Sequence, residues 1–149
     1  MIEWDEVLEV VGQAQFTDRD MARVRLTALW ARTDQPAQRC ILAHFLADVQ
    51  DSLDAEVAWD EAAWEAFAGV SDADLLPIGV PAAAGFAPSL HLNLGDGYLR
   101  QGRREDALRE LASARAAVEF LADDGYGAMV QRGLDGLEAR LRSGPTVES

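Results

Sequence analysis

Apolar residues recur at helical spacing along most of the chain. Near the start Trp4, Val7, Leu8 and Val11 share one side, with Glu3, Asp5, Glu6 and Glu9 on the other, which predicts a first helix. Thr17 or Asp18 can cap a second helix, whose buried stripe reads Met21, Ala22, Leu26, Leu29 and Trp30. Asp34-Gln35-Pro36 ends it, because proline cannot continue a helix and restricts the residue before it. A third helix, about 37–49, sets Cys40, Ile41, Ala43, His44, Leu46 and Ala47 among few charges. A fourth, about 52–68, follows the acidic cap Asp51 and presents Val57, Trp59, Ala62, Ala63 and Phe67. The period then stops. Residues 69–88 carry Pro77, Gly79, Pro81 and Gly85 inside the apolar string LLPIGVPAAAGFAP, which reads as a long loop that packs against something. Two more helices follow at about 89–100 and 104–122, the second closed by Asp123-Asp124-Gly125 with glycine as its C-cap. A last amphipathic helix spans about 126–141, with Met129, Val130, Leu134, Leu137 and Leu141 on one side, and residues 143–149 read as a frayed tail.

One stretch carries a more specific spacing. From Leu94 the chain reads LGDGYLRQGRREDALRELASA, with Leu94-Gly95, Tyr98, Ala107, Leu111 and Ala114 at the key positions. Gly95 and Ala107 are small where two antiparallel helices can cross closely, Tyr98 and Leu111 fill the space beside the crossing, and Gly102 supplies the turn. This pattern resembles a tetratricopeptide repeat. The usual aromatic three residues before the Leu is His91, and the usual closing proline is Glu119. Upstream, Ala43, Ala55, Trp59 and Ala62 repeat the same offsets. Ala22, Leu26 and Leu29 repeat the offsets of the second helix, and Ala22 lies 33 residues before Ala55.

The resemblance implies an all-α domain over 1–142: a short right-handed α-solenoid of about three TPR-like helix pairs (1–33, 36–68 and 88–121). An inserted apolar loop occupies 69–87, helix 126–142 caps the open end, and 143–149 is a flexible tail. Each pair buries one face only when a neighbour stacks on it, and the curved surface left over usually holds a peptide or a partner helix. Groove positions on the first helix of each pair would be Cys40, Ile41, His44, Ala47 and Asp48, then Leu92, Asn93, Asp96, Leu99 and Arg100. Relatives that grip a terminal carboxylate use Lys, Arg and Asn there; this chain offers Asn93 and Arg100 but no Lys. The expected groove is therefore mixed and polar, with Cys40, His44, Asp48, Asn93, Asp96 and Arg100 as its partner-binding residues.

Charge adds a second reading. The formal net charge is −13, and every one of the 13 basic residues is Arg, which suggests a GC-rich coding sequence. Residues 1–74 hold 16 acids and 5 arginines; residues 75–149 hold 10 acids and 8 arginines. Such a balance argues against binding a phosphate backbone or an anionic membrane, where Arg and Lys must displace counterions. Asp54, Asp60 and Glu61, in a stretch without a base, form either a solubilising face or a docking face for a partner that carries Arg or Lys. The alternative function is then an acidic inhibitor, a polyanion mimic that occludes a basic surface. A single cysteine allows no internal disulfide. The start of the chain lacks the basic and apolar regions of a secretion signal, and no 18-residue apolar run exists, so a cytoplasmic location is expected.

Candidate chemistry is thin. His44, Asp48 and Asp51 share a helical face, and His91 and Asp96 could join them at a metal, but the spacing matches no metal signature; a hydrogen-bonded His44 with solvated carboxylates is the simpler reading. Cys40 and His44 stand one turn apart, as a nucleophile and base could, yet a cysteine on an apolar helix is more often a core residue. Gly95, Gly97 and Gly102 follow no strand, so no phosphate loop is expected. Trp30, Trp59 and Trp64 read as core, with Trp64 and Phe67 alternatively facing the inserted loop or a second copy of the chain. The expectation is a protein or peptide partner, with no catalytic residue, metal or cofactor.

Overall fold

The computed structural model describes residues 1–80 and 82–143, and these are all-helical, with no strand among them. They form two compact units, Met1–Ala83 and Ala84–Ser149. The expected tail beyond Ser143 lies outside the described residues.

Unit one holds α1 (Trp4–Gln13), α2 (Arg19–Arg32), α3 (Pro36–Asp48), α4 (Leu53–Phe67) and the single turn α5 (Asp72–Leu75). Local chemistry sets each start. Asp18, not Thr17, caps α2 through Met21 N at 3.2 Å. Pro36 occupies the first turn of α3, where its missing N–H costs nothing, and Gln35 caps Gln38 N at 2.7 Å. Ser52 caps α4 by accepting from Ala55 N at 3.1 Å. Asp51, the expected cap, instead pairs with Arg19 and Arg23 of α2. A short turn joins α3 to α4, so the two lie antiparallel and pack along their length, with α2 against α3; α1 meets α2 and α3 over a shorter stretch. Leu26, Leu42, Ala43, Leu46, Ala63 and Leu75 are wholly enclosed.

A polar clasp fastens the first residues to this unit. Gln38 is 0% exposed. Its side-chain amide donates to the Ile2 carbonyl at 2.6 Å and accepts from Ile2 N at 3.1 Å and from the Thr33 hydroxyl at 2.7 Å. All these buried polar groups are therefore satisfied, as burial requires.

The expected loop 69–87 is largely structured. Ser71 and Asp74 form a reciprocal capping box for α5, a 3₁₀ turn spans Leu76–Ile78, and the Asp72 carboxylate accepts from Ala83 N at 2.7 Å. Within the stretch Leu75 is enclosed and Ala83 buried, whereas Leu76 is exposed.

Unit two holds α6 (Ala87–Arg100), α7 (Arg104–Ala117) and α8 (Gly125–Arg142). Gly102, at φ 81°, makes the tight α6–α7 turn in the left-handed region that glycine tolerates. α7 ends at Ala117 and continues as a 3₁₀ turn, Val118–Phe120; Gly125 opens α8 and is not a C-cap. α8 packs on both α6 and α7. A methyl group on Gly95 would stand 2.7 Å from Leu137 Cδ2, and one on Gly133 would stand 2.5 Å from Leu92 Cδ2. Each helix thus receives a leucine of the other at a glycine. The paired positions climb together, so α6 and α8 run parallel. Leu94, Gly95, Tyr98, Ala107, Leu111 and Ala114 are all buried.

Candidate functional site

The sequence-predicted site residues divide between the units. On α3 of unit one, Cys40 is 3% exposed, and burial pushes its thiol up to about 12. It is a core residue, so the expectation that it lines a binding surface is corrected: it shares the inward side of α3 with Ala37, Ala43 and Ala47. His44 is half-buried, with its ring edge-on to Phe45 at 5.3 Å. Burial holds its imidazole below the ordinary value, against the opposing pull of the Asp48 charge. Asp48 reaches the surface near the end of α3. Desolvation raises its carboxyl; the His44 charge opposes this and the Glu56 charge adds to it.

On α4, Asp54 and Glu61 are exposed, whereas Asp60 is 5% exposed. Asp60 is therefore removed from the expected acidic docking face. It lies on the inward side of α4 with Val57 and Ala63, because neighbouring helical positions differ by about 100° and only one of Asp60 and Glu61 can face out. The tryptophans also differ from expectation. Trp30 and Trp59 meet edge-on at 4.9 Å, half-buried, and Arg39 lies over Trp30 at 4.2 Å. Trp64 is exposed and stacks on Phe67 with centroids 5.5 Å apart.

In unit two the three predicted residues of α6 fall on one side. Asn93 and Asp96 are half-buried and Arg100 is exposed. Asp96 accepts from Arg100 at 3.0 Å and from Arg140 of α8 at 2.8 Å. One carboxylate thereby fixes two guanidinium groups and carries the polar row of α6 across to α8. Gly136, one turn before Arg140 on the exposed side of α8, has nothing within 4 Å of where a Cβ would stand. Arg140 was not among the expected site residues. No spacing in the sequence marks it, because its partnership with Asp96 depends on how α8 settles against α6.

Further polar contacts tie the helices of this unit. His91 Nδ1 and Glu110 Oε1 stand 2.8 Å apart across α6 and α7. Arg115 of α7 reaches Asp135 and Glu138 of α8, each at 2.8 Å. Arg103 lies over the Tyr98 ring at 4.1 Å and donates to Asp106. His44, Asp48 and Asp51 do not converge on a metal site, and among the described residues no group of three or more His, Cys, Asp or Glu side chains is placed to hold one. No single described helix is long and apolar enough to cross a membrane.

No protein-family model, curated protein or solved structure is significantly similar to this chain.

Proposed function

We propose that the chain is a non-enzymatic interaction module of TPR-like helix pairs, and that the surface shared by α6 and α8 seats a segment of a partner protein. The observation that carries this reading is the Asp96 carboxylate gripping both Arg100 and Arg140. Two parallel helices, brought close by Gly95 and Gly133, thereby share one polar row, with the exposed Gly136 one turn before Arg140. A row held by charge-assisted hydrogen bonds is pre-ordered, and pre-order lowers the entropy cost of binding a flexible segment. Further support comes from burial of the repeat positions Gly95, Tyr98, Ala107, Leu111 and Ala114, the positions at which the sequence resembles a repeat hairpin.

The row offers donors and acceptors of both signs: Asn93, Asp96, Arg100 and Arg140. It suits a mixed polar segment that can hydrogen-bond along its length, in a protein or peptide partner encountered in the cytoplasm. The acidic alternative, in which the chain occludes a basic surface, rests on Asp54 and Glu61 of α4, both exposed.

A peptide-display selection against the immobilised full chain separates the two readings. The proposal expects enriched peptides whose affinity falls at least tenfold in the Asn93→Ala/Arg100→Ala double variant and only modestly in added salt. Peptides rich in Lys and Arg, lost steeply with salt and with Asp54→Asn/Glu61→Gln, would instead establish the acidic mode.

A further inference from the structure

α2 carries apolar side chains on two faces. Ala22, Leu26 and Leu29 form its buried side. On the far side Met21, Val24, Ala28 and Ala31 are exposed, Val24 at 63% and Met21 at 46%. Their steps of three, four and three residues draw one stripe along the helix, the spacing at which two helices interlock. α4 shows the ordinary outward face instead, with Asp54, Glu61 and Glu65 exposed along it. Phe16, in the 3₁₀ turn just before α2, is 87% exposed and lies beyond the Met21 end of the stripe. Charge borders the stripe in a fixed order. Asp20 and Thr27 flank it on one side, Arg25 and Arg32 on the other. Asp20 touches Arg23 yet keeps its side chain 74% exposed. Arg25 donates to the Gln13 amide oxygen at 3.1 Å and, among the described residues, meets no carboxylate.

We infer that the outer face of α2 is a homodimer interface, with α2 of two copies lying parallel about a two-fold axis. The occupant is a second copy because the bordering charges complement themselves in that arrangement. In a parallel pair, a residue just before the stripe faces the residue five places further along the other helix. Asp20 of each copy thus meets the partner's Arg25, twice per dimer by symmetry. Turned antiparallel, the same stripe would set Arg25 against the partner's Arg32, two like charges. Charge therefore selects the parallel direction. Ala28 and Ala31 are small enough for the backbones to approach, Met21 and Val24 fill the other half of the seam, and both copies bring Phe16 to the same end. One pair of fourteen-residue helices buries less than about 1,200 Å², the range of weak association, so the dimer should form at micromolar concentrations. The inference rests on α2 alone and is independent of the reading of α6 and α8.

Sedimentation equilibrium of the full chain, from low micromolar to millimolar concentration, tests this. The mass should rise from that of one chain to that of two. Val24→Glu puts a charge in the middle of the exposed stripe and should weaken association at least tenfold. Asp20→Arg and Arg25→Asp should each do the same, because each sets like charges face to face in its own homodimer. An equimolar mixture of those two variants restores both ion pairs, so it should associate at least tenfold more tightly than either variant alone. Circular dichroism checks that every variant keeps its helix content, as substitutions at exposed positions should. A chain that stays monomeric at millimolar concentration overturns the inference. So does association indifferent to Val24→Glu, or a mixture no tighter than its components.

Discussion

A buried thiol ionising only near 12 reacts slowly, because thiolate is the nucleophile. Cys40 should therefore resist a thiol reagent at pH 8 in the folded chain and react fully once unfolded in guanidinium; rapid native-state labelling, read by absorbance, would contradict its place in the core. His44 gives the protein a pH dependence of definite sign. Its folded pKa lies below the ordinary 6.5, so the unfolded chain takes up a proton that the folded chain still refuses. Stability should fall as pH drops from 7 through that value, by at most about 1.4 kcal/mol per pH unit for one proton. Denaturant titrations between pH 7 and 5 should show a shallower fall for His44→Gln; identical slopes would show that His44 does not carry the effect. These two environments were only half legible. Cys40 among alanines and leucines signalled a core residue, yet its TPR-like register suggested a groove. In the sequence Asp60 joins the acidic face only because it lies in a stretch without a base, and composition cannot resolve a step of about 100°.

Helix boundaries follow from single side chains. The Ser52 hydroxyl holds the first turn of α4, so Ser52→Ala should destabilise the chain by about 0.5–2 kcal/mol. Asp51→Ala, which loses only exposed pairs with Arg19 and Arg23, should cost less than about 1 kcal/mol. The reverse order in urea midpoints would restore Asp51 as the cap. Periodicity located α1, α2, α3, α4, α6, α7 and α8 because their apolar stripes are long. It missed α5, whose single turn is specified by the reciprocal Ser71–Asp74 cap and by Leu75 within an apolar string that has no period. On α4 the expected Val57 and Ala63 are enclosed, Trp59, Ala62 and Phe67 are half-buried, and Asp60 joins the enclosed side. Alanines at positions 55, 58, 62, 63, 66 and 68 let several faces pass as the small one, and the enclosed side carries Val57, Asp60 and Ala63.

Across unit two, the sequence pattern and the packing agree on where small residues must stand. Gly95→Leu forces a side chain into Leu137 and should destabilise by about 1–3 kcal/mol. Gly136→Ala, in open space on the same pair of helices, should stabilise by up to about 1 kcal/mol through helix propensity. Equal effects in thermal melts would mean that α6 and α8 do not approach closely. What the sequence could not supply was the partnership of Asp96 with Arg140. It joins residues 44 apart and depends on how α8 settles against α6. The proposed role turns on that joined surface. Nuclear magnetic resonance of the isotope-labelled full chain, titrated with a peptide from the display selection, reads it amide by amide. The account predicts shifts concentrated at Asn93, Asp96, Arg100, Gly136 and Arg140; a footprint on the exposed side of α4 around Asp54 and Glu61 would contradict it.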